Sequence, residues 1–192
     1  KSPGEAWTFS GAGDHWVAAP LIVGDKLFAP NSDGNLYILD LADGQSVKEA
    51  EKVVELGGRL WAQPTADAEG KRVFITSLDH SVIAIDAVTY EELWHVDLDA
   101  AVPDSVVIGS DGMLYVGSLD SKFEKFDPAT GEHQTVMSTD EWLWGTPVVS
   151  GDNIYLADLS GKLYAYNTST GAVDWSIQPD GAITASPVVL PD

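Results

Sequence analysis

The sequence predicts an all-β chain folded as a β-propeller of four-stranded antiparallel blades, four complete and two strands of a fifth (a partial or excerpted ring). Three observations carry this. A turn-containing string recurs at 38–48, 84–94, 125–135 and 165–175, with Asp40, Asp86, Asp127 and Asn167 at its third position, spaced by 46, 41 and 40 residues. Short runs of alternating apolar and polar residues, split by Gly and Asp turns, fill each interval. A proline marks the first strand of every unit, at Pro20, Pro64, Pro103, Pro147 and Pro187. A module of about forty residues holding several short strands is the signature of propeller blades.

Taken in order, residues 4–9, with Trp7, read as the last strand of a preceding unit. First strands follow within 17–23, 62–65, 102–107, 145–149 and 185–189. Proline has no ladder donor, so it belongs at a strand start or on the unpaired edge that the innermost strand of a blade leaves open. Second strands are expected at 26–29, 72–75, 113–116 and 153–156, and third strands at 35–39, 81–85, 122–126 and 162–166. The hairpins between them turn at Asp33-Gly34 and Ser160-Gly161. Asp79-His80 and Asp120-Ser121 stand in the same place without glycine, which asks ordinary residues to adopt positive φ. Fourth strands at 93–96 and 174–177 carry Trp94 and Trp175. The first unit has a longer segment there, 46–56, read as an irregular outer strand rather than a helical turn. The division is then an outer strand at 1–15, blades at 16–60, 61–100, 101–143 and 144–183, and an inner strand of the next blade at 184–192.

Thirty Asp and Glu against ten Lys and Arg give a formal charge of −20. Phosphate recognition needs a basic face, so nucleic acid is not an expected partner, nor is an anionic membrane surface. There is no cysteine, which excludes disulfides and thiolate chemistry. No apolar run approaches the roughly twenty residues that span a bilayer, so no membrane insertion is expected of this segment. No targeting signal is visible in it.

Chemistry-bearing patterns are sparse. His15, His80, His95 and His133 are not paired at i+2 or i+4, so metal-ligand spacing is absent. The turns at 31–35 and 110–112 lack the spaced acids of a Ca²⁺ loop. No nucleophile elbow or distinct carboxylate pair stands out. No catalytic, cofactor-binding or metal residue is therefore expected. The candidate interaction residues are Trp16, Trp61 and Trp144, each just before an inner strand, and Trp142 beside them. The connection they occupy enters the ring from one end, where aromatic residues can anchor a partner.

Pro147-Val148-Val149, Tyr155, the run 163–167, Thr170-Gly171 and Trp175 resemble the repeat of the quinoprotein alcohol dehydrogenase-like (PQQ-like repeat) propellers, as do Tyr115-Val116-Gly117-Ser118 and Ala84-Ile85-Asp86. The resemblance covers nearly the whole chain. It implies that Trp94 and Trp175 dock structurally between blades and that Ala84, Ala165 and Gly171 are small to admit an indole. Four positions depart from the pattern: Tyr90 for Gly, Lys125 for Ala, Thr135 for Trp and Asn167 for Asp. Within that family the style is that of the non-enzymatic outer-membrane assembly lipoproteins. This implies an extracytoplasmic scaffold, periplasmic or at the cell surface, binding a protein partner or small ligand without a cofactor. Self-association through open blade faces is a further expectation. The alternatives are a fragment of a pyrroloquinoline-quinone-dependent dehydrogenase and the sensor domain of a bacterial membrane kinase. The quinone reading is opposed by the lack of cysteine and by having only Arg59 and Arg72.

Overall fold

The computed structural model describes residues 7–45 and 53–190. These residues hold sixteen strands and no helix, arranged as four separate antiparallel meanders. The first blade comprises β1 (Leu21–Val23), β2 (Lys26–Pro30), β3 (Asn35–Asp40) and β4 (Val53–Glu55). The second comprises β5 (Thr65–Ala66), β6 (Arg72–Thr76), β7 (Ser81–Asp86) and β8 (Glu92–Asp97). The third comprises β9 (Val107–Ile108), β10 (Leu114–Gly117), β11 (Lys122–Phe126) and β12 (His133–Ser138). The fourth comprises β13 (Val148–Ser150), β14 (Asn153–Ala157), β15 (Leu163–Asn167) and β16 (Ala172–Ile177). The first strands of neighbouring blades touch, β1 against β5 and β9 against β13, as expected of sheets packed about an axis.

Pro20, Pro64 and Pro147 sit directly before β1, β5 and β13, where no ladder donor is required. The inner strands are shorter than the sequence suggests, because their first residues belong to the connections between blades. Neither Trp7–Phe9 nor residues 182–190 form a strand. Neither has a ladder partner among the described residues, so extension gains no backbone hydrogen bond. Residues 4–6 of the expected first strand, residues 46–52 of the outer segment and residues 191–192 lie outside the described residues.

Two side chains per module hold the turns. Asp40, Asp86 and Asn167 end their third strands, and Asp127 directly follows its own. Each Oδ1 accepts backbone N–H groups two or three residues on, as in Val88 N to Asp86 at 2.8 Å and Ser169 N to Asn167 at 3.0 Å. Only an oxygen acceptor is needed, which is why Asn167 substitutes for Asp. These N–H groups hold the carboxyls of Asp86 and Asp127 below the usual range. The second position is Asn31, Ser77, Ser118 and Asp158, at the same 46, 41 and 40 spacing. All four are polar and at most 1 % exposed, and all bond within the hairpin between the second and third strands. His80 and Ser121 in these hairpins have φ of 71° and 65°.

The core lies in the seams between blades. Phe28, Ile38, Ile75 and Ile83 fill the first seam, and Phe74, Trp94, Leu114 and Phe126 the second. Tyr115, Phe123, Leu156 and Tyr166 fill the third. In the second seam the Trp94 ring lies parallel to Phe126 at 6.2 Å, and its Nε1 donates to the Pro128 carbonyl at 3.1 Å. The Cβ position of Gly131 is 2.9 Å from that indole, so glycine is required beneath it. Trp7 docks alike on the first blade, donating to the Leu41 carbonyl at 3.0 Å over Gly44. In the first seam Tyr90 fills the space itself, with φ of 62° and its ring 6.2 Å from Phe28. In the third seam Tyr115 and Tyr166 meet directly at 5.8 Å. Each seam is therefore closed by large rings, supplied from either side.

One expected docking position is placed differently. Trp175 pairs with Ala165 across the strands, is 42 % exposed and, among the described residues, lies 5.8 Å from Tyr155 of its own blade. No indole lies over Gly171, whose nearest neighbour is the Tyr166 hydroxyl. The reason is directional: an indole docks on the glycine of the following blade, so Trp94 serves Gly131 and the seam entered by Gly171 has Thr135 instead. Ala84 is fully buried and opposite Trp94 in the ladder.

Candidate functional site at the crossover end

Strand direction places all the connections between blades at one end. The last strand of each blade finishes beside the hairpin that joins its second and third strands, so the crossover starts there. Backbone bonds fasten each crossover to that hairpin and the next. Leu60 N donates to Asn31 O at 3.4 Å and Leu78 N to Arg59 O at 3.0 Å. Leu143 N donates to Ser118 O at 3.4 Å and Leu159 N to Trp142 O at 3.0 Å. Leu60 and Leu143 are thereby buried as plugs, at 0 % and 3 % exposed. Leu143 packs on Gly117, where a Cβ would come within 2.6 Å of it.

Alternation along these extended segments turns the flanking residues outward. Trp142 and Trp144, on either side of Leu143, are 49 % and 37 % exposed. Trp61, after Leu60, is half-buried, and its indole nitrogen is buried with no hydrogen-bond partner among the described residues. Trp16 is different again. It lies edge-on to Tyr37 at 5.4 Å and to Phe9 at 6.4 Å, and lines a cavity of about 270 Å³ with Trp7, Leu27 and Leu39. Trp16 thus helps cover the outer face of the first blade. Trp16 still leaves 46 % of its surface exposed; among the described residues Trp142 and Trp144 stand exposed on one loop, either side of Leu143.

The loop carrying that pair is rigidly tied. Gly145 N donates to Asp104 Oδ2 at 2.7 Å, and Ser105 N to Thr146 Oγ1 at 3.3 Å. Burial raises the Asp104 carboxyl, with the bonds from Gly145 and Thr146 opposing it. Asp158, fully buried, accepts from Ser160, Lys162, Tyr164 and Asp140 and bridges to Leu143. The end is acidic, its lysines already paired: Lys122 with Asp99 and Asp120, and Lys162 with Asp140. No group of three His, Asp or Glu among the described residues could hold a metal ion, and no helix among them is long and apolar enough to cross a membrane. The tie at Asp158 and its repeat-mates escaped the sequence reading. The signal was present, as four polar residues in step with the Asp40 series.

The profile of a family described as outer membrane protein assembly factor BamB matches residues 5–134 and 126–192. The outer membrane protein assembly factor BamB of Bordetella pertussis is 27 % identical over 176 residues, covering 88 % of this chain and 44 % of the relative. The beta-alanine-activating enzyme of Drosophila melanogaster is 26 % identical over 164 residues, 82 % of this chain and 16 % of the enzyme. The serine/threonine-protein kinase AfsK of Streptomyces griseus is 28 % identical over 162 residues, 77 % of this chain and 20 % of the kinase. The crystal structure of BamB from Moraxella catarrhalis superposes with a TM-score of 0.73 at 17 % identity, covering 91 % of this chain and 56 % of that one. This chain spans about half the length of the two BamB proteins. An assembly factor, an activating enzyme and a kinase share the repeat, so the repeat alone is a packing device.

Proposed function

The chain belongs to the PQQ-like repeat family described as outer membrane protein assembly factor BamB, and from that premise we propose that it is a non-enzymatic, extracytoplasmic docking module whose crossover end binds a protein of the outer-membrane assembly apparatus. One observation carries the reading. Two indoles, Trp142 and Trp144, are held outward on a loop that hydrogen bonds anchor from below. Large amphipathic rings on a rigid support lose little entropy on binding, which is how interface anchors work. Their environment also fits a scaffold better than a catalyst: the surrounding polar groups bond one another. The reading needs no cofactor.

Alanine at Trp142 and Trp144 together is expected to weaken partner binding by at least about tenfold, the loss typical of an interface anchor. Stability should fall by no more than about 2 kcal/mol, about 1 kcal/mol for each half-exposed ring. Trp16→Ala is the contrasting variant, because that ring packs on Tyr37 and Phe9. It should lower the melting temperature and leave affinity unchanged. Affinity measured by titration calorimetry and melting by calorimetry separate the two. Unchanged affinity for the double variant would remove the proposal's support.

A further inference from the structure

The third blade breaks a rule that the other three keep. One position of each third strand faces the preceding seam: Tyr37, Ile83, Glu124 and Tyr164, again 46, 41 and 40 residues apart. All are buried, Glu124 being 4 % exposed. Tyr37 and Tyr164 fill the slot with a ring and close it with hydroxyl bonds to Asp33 at 2.6 Å and Asp158 at 2.9 Å. Ile83 fills it with hydrocarbon. Glutamate brings neither a ring nor a wholly apolar side chain, and puts a carboxyl group there instead.

The ladder is rebuilt around this residue. In the second and fourth blades the outermost strand bulges after Ala84 and Ala165. In the third the irregularity falls between Phe123 and Glu124, which sets Thr135 opposite Glu124. The Thr135 hydroxyl donates to Oε1 at 2.7 Å. The other carboxyl oxygen, Oε2, is buried and has no hydrogen-bond partner among the described residues. Leaving a carboxylate oxygen so costs several times an ordinary hydrogen bond unless something supplies a donor. Beside it lies a polar cavity of about 120 Å³, lined by Glu124, Asp97, Asp99, Asp120, Lys122 and His133 among others. Four carboxylates face one lysine there, and that lysine is already shared by Asp99 at 2.6 Å and Asp120 at 2.7 Å.

We propose that this cavity, at the crossover end of the seam between the second and third blades, binds a guanidinium group. The buried Glu124 with its free acceptor and the surplus of negative charge call for a cation that carries several N–H donors. A metal ion is disfavoured, because although these acids line one cavity, no three carboxylate or imidazole groups among the described residues are placed to hold one ion. An ammonium is already present as Lys122 and leaves Oε2 unmet. A guanidinium presents planar paired donors to carboxylates and gives up its hydration more readily. The site stands on its own residues, whether or not the Trp142–Trp144 surface is an interface.

The test is an NMR titration of amide shifts with N-acetyl-arginine amide, at low and at raised salt. N-acetyl-citrulline amide serves as the neutral isostere. Saturable shifts confined to 97–99, 118–124 and 133–135, at least about tenfold weaker with citrulline and weakened by salt, are expected. Free L-arginine in a parallel titration separates a metabolite from a peptide side chain. Tighter binding of the capped form assigns the site to a partner's arginine, and tighter binding of the free amino acid assigns it to the metabolite. Glu124→Gln should lose at least about tenfold in affinity. Glu124→Ile, copying Ile83, should abolish binding while the melting temperature holds or rises. Non-saturating shifts, or equal shifts with citrulline, overturn the proposal on the unmodified protein alone, whatever the variants do.

Discussion

Trp94→Ala is expected to destabilise the protein by about 3–5 kcal/mol, the cost of truncating a buried Trp. For a chain of this size that lowers the melting temperature by about 6–20 °C. The indole lies between Phe74 of its own blade and Phe126 of the next, at 6.0 and 6.2 Å. It also bonds the Pro128 carbonyl and rests on Gly131. Removing it opens a void in the seam and leaves a carbonyl without its donor. Neighbouring blades share little but their seams, so the loss is a loss of coupling between sheets. Trp94→Phe should recover part of the effect, because the ring remains and only the N–H is lost. Trp175→Ala is the control within the same motif. Among the described residues that ring is 42 % exposed and meets a ring of its own blade, Tyr155, so about 1 kcal/mol is expected. Urea denaturation of the three variants measures all of this, and equal losses at 94 and 175 would refute the role of the seam.

The second large effect is expected at Asp158. The side chain is fully buried. It accepts from Ser160 N and Lys162 N at 3.0 and 3.1 Å, and from the Tyr164 hydroxyl at 2.9 Å. Asp158→Ala strands these donors and should cost about 3–5 kcal/mol, as for breaking a buried charged network. Leu159 N holds the Trp142 carbonyl and Leu143 bridges to Asp158, so the exposed indole pair should lose order as well. The pH dependence has a definite sign. Burial pushes the Asp158 carboxyl up, but hydrogen bonds from Ser160, Tyr164 and Lys162 outweigh it and hold it below the usual carboxylate range. A carboxyl lowered by folding stabilises fully above its unfolded value, near 3.9, and loses that contribution as pH falls through the folded value. The stability difference between the parent and Asp158→Asn should therefore be largest above about pH 5 and shrink steadily below about pH 4. A difference that grows on acidification would contradict the assignment.

Much of this was readable from residues alone, for physical reasons. Proline's missing donor located the blade starts at Pro20, Pro64 and Pro147. The Asp40 series marked the turns because an oxygen acceptor is needed at that place each time. Local rules of this kind act over two to four residues and survive in the sequence. The contents of the seams do not, because they depend on pairs far apart. Tyr90 looks like a defect in the glycine position, yet it fills the space that an indole would take beside Phe28. Gly171 looks like a docking floor, yet the ring that would lie on it must come from the preceding blade, which offers Thr135. Trp16 stands four residues before its blade's proline and Trp144 three, so Trp16 falls in register with the plugs Leu60 and Leu143, and Trp144 with Trp61. Glu124 was hidden in an acidic background until its register with Tyr37, Ile83 and Tyr164 was fixed.

The claim that the crossover end is the working surface is tested most directly by photo-crosslinking the full-length gene product in its native host. A benzophenone side chain would be placed at position 142 or 144, and in separate variants at position 88. Val88 is 75 % exposed at the opposite end of the blades. Crosslinks from 142 and 144 to one and the same outer-membrane assembly protein, with none from 88, are the predicted result. Crosslinks to that protein from 88 and none from the tryptophan pair would contradict it.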